Sequence, residues 1–290
     1  MTSPAPKLPS IVSWTSLLLA AVGAHLALAL LLPEQKWVTP VGVSVAVAVA
    51  ATFCLAQAKR GTGLLRLRWC LLAAGMGLWI LAYGLSAYSQ MSNADTGVAL
   101  PYLMVFSLRA IPWLLAIVLT SNRKVLAHTS VFDGVQAMLL ILAISLLYFP
   151  QIAAGATFTV PAVSGERAYT YHELVNVVIA VLSVAFIPLQ PTQAERRFAA
   201  SAAVLLSIYA GMALLVNQVI INGLAPPPGS PWFLLGDLAA VVFVVHHIIA
   251  ERRTAADDDE LRKPGPVKTL ALLLVPAVAP MAIVLISIVL

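Results

Sequence analysis

A chain of 290 residues that is 61% hydrophobic and only 10% charged, with a mean hydropathy of +0.94, lies outside the composition of soluble globular domains. Its net charge of +5 sits in short loops between apolar runs, facing an anionic membrane leaflet, so it does not mark a nucleic-acid partner. Two cysteines, Cys54 and Cys70, exclude a disulfide scaffold and read as small apolar residues in a reducing compartment.

In chain order the apolar runs are 11–33, 38–58, 69–90, 101–121, 131–150, 171–190, 198–224, 231–250 and 269–290. Each is about twenty residues, the length that crosses a hydrocarbon core of about 30 Å. The expected fold class is therefore all-α: a polytopic membrane protein of nine transmembrane helices. The first run is too long for a signal-peptide core, and Pro33-Glu34-Gln35-Lys36 offers no small-residue cleavage site.

The cations set the orientation. Lys7 precedes the first run; Lys59, Arg60, Arg66 and Arg68 separate the second and third; Arg123 and Lys124 follow the fourth. Arg196 and Arg197 follow the sixth run, and Arg252, Arg253, Arg262, Lys263 and Lys268 follow the eighth. The opposite loops hold only Lys36 and Arg167, and Arg109 lies inside a run. The positive-inside rule then places the N-terminus in the cytoplasm and, after nine crossings, Leu290 outside.

Loop character suggests a duplication. Runs one to four (1–124) and five to eight (125–253) share a basic loop before the third span and a proline-aromatic opening of the fourth: Pro101-Tyr102 and Pro231-Trp232. Arg68 and Arg197 are 129 residues apart, and Pro101 and Pro231 are 130. Four spans per copy preserve orientation, so the repeat is parallel, with its axis near the membrane normal. Of the longer connections, 151–170 holds Thr157-Phe158-Thr159-Val160, a short strand or a simple cover. The cytoplasmic stretch 254–268, with mixed charge and Pro264-Gly265-Pro266, reads as a solvated linker. The ninth span, 269–290, ends in an apolar run without a polar flank, which leads to the expectation of a further span and domain beyond it.

Polar residues inside the spans are the candidate site. Arg109 lies eight residues below Pro101, about 12 Å deep, and Asp237 six below Pro231, about 9 Å deep, at 1.5 Å per residue. Unpaired charges at such depth are costly, so an Arg109–Asp237 ion pair across the repeat interface is expected. It reads either as a structural clip or as a switch that a ligand or proton opens. His25, midway along the first span, joins the site as a hydrogen-bonded bundle histidine, whereas His246 and His247 are expected at the membrane interface. Asn176, Asn217 and Gln218 add amides of the kind that join helices. Pro112 and Pro188 are candidate kinks. No His, Cys or carboxylate spacing suits a metal, no cofactor motif occurs, and no catalytic constellation is present.

Arg66-Leu67-Arg68-Trp69-Cys70-Leu71-Leu72-Ala73-Ala74-Gly75-Met76-Gly77-Leu78-Trp79 resembles a pattern in the membrane-embedded N-terminal regions of bacterial GGDEF-type diguanylate cyclases and related sensor histidine kinases. Phe132-Asp133-Gly134-Val135-Gln136-Ala137 and Glu195-Arg196-Arg197-Phe198 are similar to the same group, and the resemblance covers residues 38–250. It implies a sensory module that regulates a cytoplasmic output domain. The expected partners are the lipid bilayer, an unidentified small-molecule ligand and a second copy joined through that output domain, with no nucleic acid. This chain has no Gly-Gly-Asp-Glu-Phe sequence and no kinase motif, so no catalytic residue carries over. The competing class is a free-standing small-solute transporter or channel with Arg109 and Asp237 at a midplane site.

Overall fold

The computed structural model of the protein describes residues 11–91, 105–106, 108–119, 162–221 and 234–254; within these, the side chains of 11–13, 89–90, 162–172, 217–221 and 253–254 are left aside. The described residues are helical throughout apart from their connections, and no strand occurs among them. The elements are α1 (Ile11–Leu31), α2 (Val38–Arg60), α3 (Gly63–Met91), α4 (Ala110–Val118), α5 (Ala162–Phe186), a 3-10 turn (Ile187–Leu189), α6 (Gln193–Ile221) and α7 (Leu235–Thr254). Four contain segments long and apolar enough to cross a membrane: Trp14–Leu31, Val38–Arg60, Gly63–Tyr88 and Gln193–Val216. The expected spans 131–150 and 269–290, the proposed strand 157–160 and the linker from 255 onward lie outside the described residues.

Two helix boundaries differ from the sequence reading. α3 begins at Gly63, six residues before the apolar run at 69, because Arg66 and Arg68 are good helix formers and continue the helix into the basic segment. α5 begins at Ala162, so much of the expected connection 151–170 is helical. Prolines explain two interruptions. Pro112 lacks the N–H that would bond the carbonyl of Leu108, and the chain makes a turn at Arg109. Pro188 ends α5 in the 3-10 turn before α6 starts. α2 closes at extended Gly61, and Gly63, at φ +53°, opens α3, so a two-residue connection forces the two helices antiparallel.

Each helix packs on its sequence neighbour: α1 on α2, α2 on α3, α3 on α4, α4 on α5, α5 on α6 and α6 on α7. α7 returns to α2 and α1 and closes the ring. Small residues set the closeness of that return. On α2, Gly42, Ala46, Ala50 and Cys54 recur every four residues on one buried stripe, which lets backbones approach. A Cβ on Gly236 of α7 would come within 2.6 Å of Val43 Cγ2.

Across the ring α3 meets α6 through rings set edge-on: Trp69 with Phe198 and Trp79 with Tyr209, each at a 4.7 Å centroid distance. Phe53 centres one aromatic cluster, with Trp14, Trp69, Phe243 and His247 around it. Arg109 centres the other.

Candidate functional site: two buried polar contacts

Arg109 is fully buried and is enclosed by aromatic faces. Its guanidinium lies 4.1 Å from the ring centroid of Tyr209, 4.4 Å from Phe106, 5.1 Å from Trp113 and 5.5 Å from Trp79. These distances are within the range in which a ring quadrupole attracts a cation, and desolvation strengthens that attraction. Three stretches of chain build the box. α3 supplies Trp79 and α6 supplies Tyr209, while Phe106 and Trp113 flank Arg109 on its own stretch of chain. Trp113 is held by an Nε1–H bond of 3.3 Å to the carbonyl of Leu72, and Gly75 leaves room for its ring, which a Cβ there would overlap. From α5, Asn176 Oδ1 accepts a hydrogen bond of 3.3 Å from Arg109 Nη2. The Nδ2 of Asn176 is buried without a partner among the described residues.

Asp237 pairs elsewhere. Its Oδ2 accepts a 2.7 Å hydrogen bond from His25 Nδ1, with both side chains almost entirely buried. The expected Arg109–Asp237 ion pair is thus replaced by a His25–Asp237 contact and an aromatic box around Arg109. The reason is helix placement. α1 lies against α7, which carries the imidazole to the carboxylate, whereas Arg109 turns toward α3 and α6. Gly42 makes the contact possible, because a Cβ there would overlap the His25 ring. The other polar atoms of the dyad, His25 Nε2 and Asp237 Oδ1, are buried without partners among the described residues. Tyr83 of α3 packs edge-on against Phe106 at 5.1 Å. The site thus holds two polar contacts, Arg109–Asn176 and His25–Asp237, rather than one midplane pair.

Of the other expected site residues, Asn217 and Gln218 lie on α6, with side chains outside the described set. His247 is buried in the protein, against Trp69 at 4.9 Å, and its Nδ1 lies 2.9 Å from Ser201 Oγ. Among the described residues, no three His, Cys, Asp or Glu side chains gather as a metal would need.

Arg68, a topogenic charge and repeat landmark in the sequence, is buried. Its Nε donates to the carbonyl of Ala116 at 2.8 Å, satisfying one of the open acceptors at the C-terminal end of α4. Its Nη1 donates to Gln190 Oε1 at 2.7 Å, and its guanidinium lies 4.4 Å from the Phe198 ring centroid. The signal was available: Arg68 directly precedes Trp69, so a helix that buries the indole carries the preceding residue to the rim of the core.

No family model, no curated protein and no solved structure matches this chain. The functional reading accordingly rests on the contacts themselves.

Proposed function

We propose that the chain is a membrane-embedded sensory module that regulates a cytoplasmic output domain, a diguanylate cyclase or kinase. In this reading it has nine spans, a cytoplasmic N-terminus and two four-helix halves related by a parallel duplication. The neighbour pattern supports the duplication. The fourth span of each half packs on the second of the other, α4 on α5 and α7 on α2. The third spans meet through Trp69–Phe198 and Trp79–Tyr209, pairs separated by the same 129 and 130 residues that relate the sequence landmarks. Residues beside a two-fold axis meet their own equivalents, as in an isologous interface.

The observation that carries the function is that the Arg109–Asn176 and His25–Asp237 contacts both cross between halves. Arg109 belongs to the first half and Asn176 to the second; His25 belongs to the first and Asp237 to the second. Intramembrane ionisable residues are costly and mark functional positions by default. A shift of one half against the other must break or rebuild these contacts, and α7 carries the shift toward the basic cytoplasmic segment. A ligand drives it only by binding one arrangement more tightly than the other.

The test joins a diguanylate cyclase domain after Pro266, on the expected cytoplasmic side, and measures cyclic dimeric GMP in cells. Arg109→Gln, His25→Ala and Asp237→Asn, at equal membrane levels, are expected to change output severalfold. Unchanged output in all three variants would remove the sensor reading. Solute uptake into proteoliposomes that is lost in Asp237→Asn would put the transporter in its place.

A further inference from the structure

At the basic end of the ring, α2, α3, α6 and α7 leave a cleft of about 110 Å³. We propose that it binds the phosphate of an anionic phospholipid headgroup. Two guanidiniums, Arg60 and Arg197, line it against one carboxylate, Glu251, so its balance is positive. Arg60 meets Glu251 only loosely, at 3.8 Å and with both side chains partly exposed, a pairing worth little in water. It yields readily to a phosphate, which guanidinium recognises through paired N–H donors.

The cleft wall is furnished with buried polar groups. Gln57 is 8% exposed, lines the cleft and makes no side-chain hydrogen bond among the described residues. His247, 6% exposed, also lines it. Ser201 has a single hydroxyl proton, and it goes to the carbonyl of Arg197 at 2.8 Å. Ser201 Oγ therefore accepts from His247 Nδ1–H at 2.9 Å, which leaves Nε2 as the ring's remaining polar atom. The Trp69 indole supplies an apolar wall.

Size and position choose the occupant. About 110 Å³ holds a few water volumes, room for a phosphate group and far less than the roughly 300–1,000 Å³ that encloses a drug-sized ligand. The cleft therefore encloses a phosphate group and not a whole nucleotide. A phospholipid leaves its bulk in the bilayer and needs only its headgroup accommodated. The cleft lies where the last turn of α2, with Lys59 and Arg60, meets the first turns of α6, the level at which basic side chains contact anionic leaflets.

The experiment uses the full chain purified in detergent and titrated with dihexanoylphosphatidylglycerol, dihexanoylphosphatidylcholine or inorganic phosphate, with retained ligand counted by native mass spectrometry. One phosphatidylglycerol is expected to bind, with phosphatidylcholine at least tenfold weaker. Arg60→Gln and Arg197→Gln each weaken binding by about tenfold, as loss of one charged hydrogen-bond partner does. Ala194→Phe keeps every charge and fills the cleft, so it abolishes binding. In the unmodified protein, affinity falls as sodium chloride rises, because the attraction is screened. Equal binding of phosphatidylcholine, unchanged binding in Ala194→Phe, or salt-insensitive affinity would each overturn the proposal. Inorganic phosphate displacing phosphatidylglycerol at equal concentration would also overturn it and assign the cleft to a soluble anion.

Discussion

A carboxylate and an imidazole removed from water stay together because neither can recover its hydration alone. Asp237 and His25 meet at 2.7 Å with almost no exposure, and their second polar atoms have no partner among the described residues. Removing one member leaves the other buried and unsatisfied, which costs about 3–5 kcal/mol in a buried pair. Removing both leaves no orphan charge. His25→Ala and Asp237→Ala are therefore each expected to destabilise strongly, with the double variant little worse than either. Arg109 relies instead on ring faces and on Asn176, so Arg109→Ala combined with Asp237→Ala should come much closer to the sum of its parts. Reversible unfolding in mixed detergent micelles measures all five variants. A larger coupling for Arg109/Asp237 than for His25/Asp237 would reject the assignment of partners.

At the scale of helices, Gly42 is the position on which that dyad depends. It sits on the small-residue stripe of α2, and the His25 ring of α1 occupies the space a Cβ would need. Gly42→Ala should push the imidazole away from Asp237 and cost about 1–3 kcal/mol, the usual penalty for overpacking. In a His25→Ala background the ring is gone, so Gly42→Ala is expected to be neutral or stabilising relative to that background. Equal penalties in both backgrounds would show that Gly42 does not act through His25. The same helix geometry explains what could be read from the chain alone. Depth follows from counting residues at 1.5 Å each, so the burial of Arg109 and Asp237 was legible from Pro101 and Pro231. Their partners were not. Count gives height along an axis, whereas partner choice depends on which helices are neighbours and how each is rotated, and the α1–α7 contact joins residues 212 apart. Apolar runs likewise underestimate helices that continue past them, which is why Arg68 was assigned to a loop although α3 buries it from Gly63 onward. Pro112 and Pro188 were legible as breaks because a missing N–H acts locally, whatever the tertiary packing.

For the whole molecule, the ring gathers its cations at one end. Arg60 at the end of α2 meets Glu251 of α7, and Arg197 of α6 lines the same cleft. Lys36, in the connection from α1 to α2, lies at the other end, because α2 runs 23 residues, about 35 Å, between Val38 and Arg60. That length is enough to cross a hydrocarbon core. In the proposed topology the two ends of α2 lie on opposite sides of the membrane, and the positive-inside rule would put the end carrying Arg60 and Arg197 in the cytoplasm. Lys36→Cys and Arg252→Cys, each in a Cys54→Ala/Cys70→Ala background, report the two sides directly. A membrane-impermeant maleimide applied to intact spheroplasts is expected to label position 36 at once and position 252 only after permeabilisation. Labelling in the reverse order would invert the topology, and with it the claim that α7 points toward a cytoplasmic output. Simultaneous labelling of both in sealed cells would mean that α2 does not span the bilayer, and the two polar contacts would then have to be reconsidered as features of a helical bundle outside a membrane.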